Sequence, residues 1–323
     1  MRERSETVKV LITGGAGFIG SHVAEQLLRR GDTVVALDNF NDFYSPARKR
    51  ANAAILSAYP SARVVEADIR DADAMDALFS SEKFDRIVHI AAMANVRTSL
   101  KQPALYFDVN LRGTQNLLEM ARKHNARHFV FASTSSVYGR TDKIPFVETD
   151  PTDHPLAPYP ATKKAGEVLT HAYHTAYGLK CRVLRFFNVY GPRGRPDMMP
   201  YHFTRCILRG EPITVFDEGR PQRDWTYIDD TVDGVIAALD ADYDYEIFNL
   251  GRGQPVILNE FIDIIEELTG RRAVVQYAPL PDTEPSITYS DTSKAGRMLD
   301  YSPRISIADG MARFYEWYKA NVE

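Results

Sequence analysis

Tyr159 and Lys163 are the two residues whose types and spacing point most directly to chemistry. They stand four positions apart in a segment predicted to be helical, so both side chains lie on one face of the helix. A free phenol has a pKa of about 10, and a neighbouring ammonium group lowers that value by favouring the phenolate. We therefore predict that Lys163 lowers the pKa of Tyr159, and that Tyr159 serves as a catalytic base.

Hydroxyl side chains form a second cluster at residues 133–136. The cluster follows a predicted strand, so it belongs at the carboxyl edge of a sheet, where it can hold a substrate hydroxyl against Tyr159. A Ser/Thr-rich loop can also satisfy its own backbone, and spacing alone does not distinguish the two roles. The members of the cluster are Ser133, Thr134, Ser135 and Ser136.

A glycine-rich turn at residues 14–20 lies between an apolar strand and a predicted helix. Gly14 allows a sharp turn, Gly17 lets the backbone approach a pyrophosphate, and Gly20 lets the helix pack closely on the strand. The phosphates then meet the free N–H groups of a helix amino terminus. The context favours a dinucleotide site over a glycine turn without a ligand. The residues assigned to this site are Gly14, Gly17, Phe18, Ile19 and Gly20.

Asp38 ends the second predicted strand, 18 residues beyond Gly20. A carboxylate there can accept hydrogen bonds from both ribose hydroxyls of an adenosine and repels a 2′-phosphate, so NAD is predicted rather than NADP. Asn39 is expected to assist, and a simple turn role is the structural alternative for Asp38. Asp68 and Ile69 suit the adenine edge. Short side chains after the fourth strand let the backbone pass close to the dinucleotide; they are Ala91, Ala92 and Ala94.

The hydrophobic pattern supplies the elements that position these residues. Short β-branched runs alternate with amphipathic stretches, which is typical of an α/β fold with a Rossmann-like, doubly wound parallel sheet. Long helices are predicted at 104–123 and 159–177; they could build a four-helix dimer interface, although such helices more often cover a sheet. Strands are predicted at 8–13, 33–37, 63–66, 86–90, 128–132 and 181–187.

After residue 191 the alternation breaks, because Pro and Gly punctuate shorter elements. We interpret this part as a smaller α+β substrate-binding lobe beyond the carboxyl ends of the parallel strands. Strands are predicted at 213–216, 224–227 and 246–250, and helices at 199–209, 230–239, 259–268 and 307–321. The expected division assigns 1–187, with a return segment at about 226–250, to the NAD-binding domain, and 188–225 plus 251–323 to the substrate lobe.

The composition excludes several classes of protein. The net charge is −4 without a long basic run, so no nucleic-acid surface is expected. No apolar stretch reaches the roughly 18 residues that span a bilayer, and the polar residues 1–7 are expected to form a frayed tail rather than a signal peptide. Cys181 and Cys206 lack the spacing of a metal site or disulfide framework, so no metal is predicted and a reducing cytoplasm is expected.

Four motifs together resemble one family. The resemblance is to the extended short-chain dehydrogenase/reductases that act on nucleotide sugars, and it covers essentially the whole chain. The motifs are GGAGFIG at 14–20, STSSVYG at 133–139, YPATK at 159–163 and RFFNVYGP at 185–192. Residues 38–44, 159–167, 191–199 and 223–230 look most like the UDP-glucuronate 4-epimerases of that family.

This resemblance implies an NAD-dependent epimerase. The tyrosine matched by Tyr159 removes the proton from the sugar 4-hydroxyl while NAD+ takes the C4 hydride, and the 4-keto sugar turns over before the hydride returns. Ser135 and Ser136 stand where related dehydratases and decarboxylases carry acidic residues, and hydroxyls are poor substitutes for a positioned acid and base. The resemblance also places Asn110 and Ser133 beside the cofactor. The catalytic residues that it implies are Thr134, Tyr159 and Lys163.

The family pattern also implies contacts with a UDP-sugar. Arg195 matches an arginine that holds the sugar carboxylate, a role suited to a bidentate guanidinium, with a solvated loop arginine as the alternative. Asn188 departs from the uronate pattern, which has Thr there, and matches neutral-sugar UDP-galactose 4-epimerases. Arg223 matches the arginine that meets the UDP phosphates, with a surface ion pair as the alternative. The remaining expected contacts are Thr134, Ser135, Ser136, Val215, Phe216 and Glu284.

Three other functions stay open at this point. The first is a UDP-glucose/UDP-galactose 4-epimerase, which Asn188 favours. A UDP-glucuronate decarboxylase and a non-catalytic NAD sensor are disfavoured, the latter by the intact Tyr159 and Lys163. A homodimer is expected in each case.

Overall fold

Seven parallel strands form the central sheet. The structure, a computed structural model, describes residues 7–322, so most of the expected tail at 1–7 lies outside the described residues. The strands are β1 (Lys9–Thr13), β2 (Thr33–Asp38), β3 (Ala62–Glu66), β4 (Arg86–His89), β5 (His128–Thr134), β6 (Lys180–Phe186), β7 (Asn188–Tyr190), β8 (Pro212–Phe216), β9 (Gln222–Tyr227), β10 (Tyr245–Leu250), β11 (Pro255–Ile257), β12 (Val274–Ala278) and β13 (Ile287–Thr288). In the central sheet these strands follow the order β3-β2-β1-β4-β5-β6-β10. The predicted parallel sheet is confirmed, and its six amino-terminal strands were predicted to within two residues.

Helices cover both faces of this sheet, which explains its continuous apolar strands. In β1, Val10 and Ile12 join the core on one face, whereas Leu11 joins the core on the other. The helices are α1 (Phe18–Arg29), α2 (Pro46–Ser57), α3 (Ala72–Ser81), α4 (Val96–Lys101), α5 (Pro103–Phe107), α6 (Gly113–Lys123), α7 (Pro158–Tyr177), α8 (Met199–Arg209), α9 (Ile228–Asp240), α10 (Leu258–Thr269), α11 (Ser293–Leu299) and α12 (Ile307–Asn321). The helices predicted at 199–209 and 307–321 are confirmed.

The long helix predicted at 104–123 is present, and its middle contains one π-helical turn. A π-helical turn, Asp108–Arg112, separates α5 from α6. The wider turn contains Asn110, whose amide is buried and bonded to neighbouring elements. Single π-turns inside helices are frequent at functional sites, and this one faces the elements that carry the predicted chemistry.

A second group of elements lies beyond the carboxyl ends of the sheet. Here β9 pairs with β7, β11 and β13, while β8 pairs with β12. Trp225 on β9 stacks on Phe261 of α10, with ring centres 4.7 Å apart, and joins these pieces to one core. The chain returns to the main sheet between these pieces, because β10 pairs with β6 and α9 packs on α1.

Among residues 7–322, no helix is long and apolar enough to cross a membrane. Within the same range, no group of three or more His, Cys, Asp and Glu side chains could hold a metal ion. Cys181 and Cys206 are both buried free thiols.

Candidate active site

One cleft runs along the carboxyl ends of the central strands and faces the second group of elements. Every residue that the sequence assigned to cofactor, substrate or catalysis lines this cleft, except Asn110 and Val215. The cleft therefore brings the glycine turn, the hydroxyl cluster and the Tyr159–Lys163 pair together.

The glycine turn at residues 14–20 is shaped by close backbone contacts. Gly14 has φ +70°, and a Cβ placed on it would lie 2.8 Å from the backbone N of Ala91. A Cβ on Gly20 would lie 2.1 Å from the carbonyl oxygen of Gly14, so this glycine lets the helix pack on the turn itself. Gly17 precedes α1, whose amino end opens into the cleft and suits a phosphate.

Asp38 ends β2 and lies at the edge of the cleft. Its Oδ1 accepts a hydrogen bond from the backbone N–H of Phe40 at 2.9 Å, and Lys49 Nζ lies 3.8 Å away. Sequence reasoning missed Lys49, which is buried, lines the cleft and offsets part of the Asp38 charge. Lys49 belongs to α2, and a lysine in a helix is ordinarily solvated, so the sequence did not indicate that this one is buried.

Asn39 and Asp68 come together at the same end of the cleft. Asn39 Nδ2 donates to Asp68 Oδ2 at 3.0 Å. Hydrogen bonds from Arg70 lower the pKa of Asp68 to about 2, because they stabilise its charged form more than burial opposes it. This end of the cleft therefore holds two carboxylates, Asp38 and Asp68, and suits hydroxyl and amine donors rather than a phosphate.

Asn110 does not line the cleft, contrary to its assignment as a cofactor contact. It is buried; its Oδ1 accepts from the Met93 N–H at 2.7 Å and its Nδ2 donates to the Met93 carbonyl at 2.9 Å. The same Nδ2 lies 3.0 Å from Thr162 Oγ1, which donates to the Tyr159 carbonyl. Asn110 thus ties the loop after β4 to the helix that carries Tyr159 and positions both.

The hydroxyl cluster lines the cleft, and one of its members satisfies the local backbone. Thr134 Oγ1 accepts from the backbone N–H of Ser136 at 3.2 Å, and Thr134 lies close enough to the Tyr159 phenol to influence its pKa. Ser133 Oγ donates to Glu167 Oε1 at 2.6 Å. Thr134 therefore satisfies the local backbone beside the phenol, whereas the Ser133 hydroxyl is engaged by a buried carboxylate.

Burial raises the pKa of Tyr159, and the hydrogen bond from Thr134 and the charge of Arg195 offset part of that rise. Burial also lowers the pKa of Lys163 to about 7, against the opposing charge of Glu167. The predicted lowering of the Tyr159 pKa by Lys163 is therefore not what this structure shows. Thr134 and Arg195, rather than Lys163, offset part of the rise in the Tyr159 pKa.

A buried ion pair supports this region, and sequence reasoning missed it. Arg185 Nε and Nη2 donate to the two carboxylate oxygens of Glu167 at 3.0 and 2.9 Å. Arg185 Nη1 also donates to the hydroxyl of Tyr138 at 2.9 Å. Glu167 stands four residues after Lys163 in α7, and that spacing was the available signal.

Arg195 lines the cleft close enough to Tyr159 to influence its pKa. Its Nε donates to Asp197 Oδ1 at 3.0 Å and its Nη2 to Asp197 Oδ2 at 2.6 Å. Sequence reasoning identified Arg195 but missed Asp197. Asn188, the first residue of β7, lines the same cleft.

The far end of the cleft carries two arginines and one carboxylate. Glu284 forms ion pairs with Arg223, at 3.3 Å, and with Arg97. The guanidinium of Arg97 also lies 4.8 Å from the centre of the Phe216 ring. Arg97 was missed, because the chain separates it from Glu284 by 187 positions.

Val215, which was expected to contact the UDP-sugar, is buried and does not line the cleft. Successive side chains of a strand point to opposite faces. Phe216 and Thr214, on either side of Val215 in β8, line the cleft instead.

Comparisons with known proteins agree with this geometry. The family model described as the NAD dependent epimerase/dehydratase family matches residues 10–251. The UDP-glucuronate 4-epimerase of Thermodesulfobacterium geofontis is 41% identical over 314 residues, covering 97% of each chain.

Two solved structures share the fold over nearly the whole length. The crystal structure of UDP-glucuronic acid 4-epimerase from Bacillus cereus, in complex with UDP-glucuronic acid and NAD, matches with a TM-score of 0.90 and 35% identity, over 97% of this chain and 99% of that one. UDP-glucose 4-epimerase from Thermotoga maritima, with UDP-glucose, matches with a TM-score of 0.90 and 33% identity, over 98% and 100%. The chain described here therefore belongs to the NAD dependent epimerase/dehydratase family.

Proposed function

We propose that this protein is an NAD-dependent 4-epimerase of a UDP-hexuronic acid, interconverting UDP-glucuronate and UDP-galacturonate. The observation that carries the proposal is the half-buried Tyr159, one helical turn from Lys163 and next to Thr134, in the cleft that contains the glycine turn. Two of the relatives described above are named UDP-glucuronate or UDP-glucuronic acid 4-epimerases.

The residues around the glycine turn suit NAD. The close contacts of Gly14 and Gly20 leave no room for side chains there, and the amino end of α1 offers unpaired N–H groups to a pyrophosphate. Asp38 can accept the ribose hydroxyls of an adenosine. When bound in this cleft, NAD supplies the hydride acceptor for C4 of the sugar and the hydride donor for its return.

Tyr159 handles the proton of the reaction in this proposal. Its oxygen takes the proton of the sugar 4-hydroxyl as C4 is oxidised, and returns it when C4 is reduced on the opposite face. Burial raises the pKa of the phenol, and Thr134 and the charge of Arg195 offset part of that rise by favouring the phenolate. These two residues therefore act in the direction that a catalytic base needs.

The hydroxyl cluster favours epimerisation over elimination. Removing water from C5 and C6 needs a positioned acid and base, and Ser135 and Ser136 fill the two positions after Thr134 with neutral hydroxyls. Epimerisation needs neither group at those positions. The 4-keto uronic acid is a β-keto acid, which can lose CO2. Arg195 lines the cleft, and its guanidinium can bind the carboxylate in an orientation that prevents decarboxylation.

A UDP-glucose/UDP-galactose 4-epimerase is the second candidate. Asn188 favours it, because this residue matches neutral-sugar enzymes and lines the cleft. The similarity to the UDP-glucose 4-epimerase of Thermotoga maritima also supports it. Arg195 distinguishes the two candidates, since a neutral hexose presents no carboxylate to that guanidinium.

Proton NMR of UDP-glucuronate incubated with the purified protein, without added reductant, tests the proposal. We expect the anomeric and H4 signals of UDP-galacturonate to appear without CO2 release. Turnover of UDP-galactose with no change in UDP-glucuronate would establish the neutral-sugar alternative. No turnover of either sugar would favour an NAD sensor.

Two variants assign the roles within the reaction. Tyr159→Phe should retain NAD and abolish turnover, and an unchanged rate would exclude Tyr159 as the base. Arg195→Ala should weaken binding of the uronate or release a UDP-pentose and CO2. A variant that does neither would exclude the carboxylate role of Arg195.

The exposed apolar side chains support a homodimer through α4, α5 and α7, which extends the proposal. Leu100 and Phe107 lie on α4 and α5, and Val168 and Tyr177 lie on α7; all four are exposed. Val168→Asp should convert a dimer to a monomer in light scattering. Val274→Asp is the matched control, because Val274 is similarly exposed but lies on β12.

Residues 188–225 and 251–323 are proposed to form the lobe that binds the UDP-sugar, with NAD bound by the remainder. Phe216, Arg223 and Glu284 support this division, because they lie in those segments and line the far end of the cleft. A cytoplasmic location stays a prediction, which cell fractionation can test.

A further inference from the structure

The guanidinium of Arg195 has two edges that can each bind a carboxylate, and the protein already occupies one of them. Nε and Nη2 form the first edge and bind the two oxygens of Asp197. Nη1 and the outer side of Nη2 form the second edge. In the described part of the chain, no hydrogen bond engages Nη1. The pair lines the cleft, with 19% of the Arg195 side chain and 29% of the Asp197 side chain exposed.

Asp197 is itself held in place by a residue from a distant part of the chain. Asn95 Nδ2 donates to Asp197 Oδ2 at 3.1 Å. Asn95 stands at the amino end of α4, where its Oδ1 accepts from the backbone N–H of Thr98 at 3.1 Å. Burial alone would raise the pKa of Asp197, but the hydrogen bonds and charge of Arg195 lower it, so this carboxylate is ionised at neutral pH. A chain of contacts therefore runs from α4 through Asp197 to Arg195.

We propose that Asp197 is a positioning residue, which holds the inner edge of Arg195 so that its outer edge faces the carboxylate of a hexuronic acid. The inference rests on the proposed function, and it extends that function to a residue that contacts no substrate. An arginine side chain has several rotatable bonds, and fixing one edge of the planar group fixes the direction of the other.

Asp197 also carries a negative charge, which opposes a second carboxylate. In the proposed arrangement, the guanidinium lies between the carboxylate of Asp197 and that of the sugar and screens one from the other. Without Asp197, the side chain of Arg195 is free to turn away from the sugar. The positioning effect and the repulsion predict opposite results when only the charge is removed. Positioning predicts that Asp197→Asn weakens binding of the uronate, and repulsion predicts that it strengthens it.

Calorimetric titration separates these effects. UDP and UDP-glucuronate are each titrated into the NAD-loaded protein. All variants are made in a Tyr159→Phe background, so that the ligand does not turn over. UDP lacks the sugar and reports only on the nucleotide end of the cleft. Asp197→Asn should weaken UDP-glucuronate about tenfold and change UDP by less than about twofold. Asn95→Ala should also weaken UDP-glucuronate binding, by a smaller factor, and should leave UDP binding nearly unchanged.

Two further variants complete the test. Asp197→Asn combined with Arg195→Ala should bind UDP-glucuronate no more weakly than Arg195→Ala alone, because Asp197 acts through that arginine. Asp76→Asn, which alters an exposed carboxylate paired with Lys123, should change neither ligand. Tighter or unchanged UDP-glucuronate binding in Asp197→Asn, equal weakening of both ligands, or additive losses in the double variant would each overturn the proposal. A parent protein that binds UDP-glucuronate no better than UDP would overturn the proposed function as well.

Discussion

Lys163 is expected to lower the free energy of unfolding of this protein, although it is a proposed catalytic residue. Its pKa falls from 10.5 to about 7 because its ammonium group is buried. Each pKa unit corresponds to about 1.36 kcal/mol, so burying the charged ammonium group lowers the free energy of unfolding by at most about 5 kcal/mol. The folded protein binds fewer protons at this site than the unfolded chain between pH 7 and pH 10.5, so stability rises with pH in that window. Below pH 7 the full penalty of burying the charge applies.

Lys163→Met removes the charge and keeps an unbranched chain over the ring of Phe131, 4.5 Å from the present Nζ. Glu167 keeps both of its hydrogen bonds from Arg185 in this variant. We expect NAD-free Lys163→Met to be more stable than the parent by about 2–4 kcal/mol at pH 6, with a difference about 2 kcal/mol smaller at pH 9. Turnover should be lost.

Urea unfolding of both proteins at pH 6, 7.5 and 9 measures this difference. Lys164→Met is the control, because Lys164 keeps 28% of its side chain exposed and its replacement should change stability by less than about 1 kcal/mol. The reasoning is refuted if Lys163→Met is less stable than the parent at pH 6, or if the difference between the two proteins does not depend on pH.

Three further predictions follow from the site. Asn110→Ala should lower the free energy of unfolding by about 2–4 kcal/mol in urea, because three buried contacts are lost, whereas Asn116→Ala, in a half-buried position, should cost about 1 kcal/mol. Phe216→Ala should weaken UDP binding in calorimetry with stability nearly kept, whereas Val215→Ala should cost about 2 kcal/mol and leave UDP binding unchanged. Glu167→Gln should cost about 3–5 kcal/mol in the same unfolding assay, because a buried guanidinium loses its counter-charge; a loss below 1 kcal/mol would contradict this.

Features that depend on local backbone geometry could be predicted from the sequence. The turn at residues 14–20 was recognised because only glycine fits contacts as close as those of Gly14 and Gly20. The helix Met199–Arg209 was predicted at both ends, since a proline lies in its first turn and Gly210 adopts the left-handed conformation after its last residue. Both signals act over a few residues.

Features that depend on distant partners could not be predicted in this way. Asn110 reads as a polar residue inside a helix, and only its contacts with Met93 and Thr162 reveal its role. Glu284 could be placed only loosely, because its partners lie far away in the chain. The buried position of Val215 could not be predicted for a simpler reason: a run of apolar residues does not reveal which alternate set faces the cleft.

The route of the chain through the sheet has a consequence for synthesis. Strand β6 ends at Phe186, but its outer neighbour β10 is complete only at Leu250. During translation β6 therefore remains an open edge until the intervening elements of the other lobe have emerged, and open edges invite association with other chains. We expect a fragment ending at residue 187 to aggregate rather than to fold as a separate NAD-binding unit. The central sheet is thus completed only after the elements between Phe186 and Tyr245 have been synthesised.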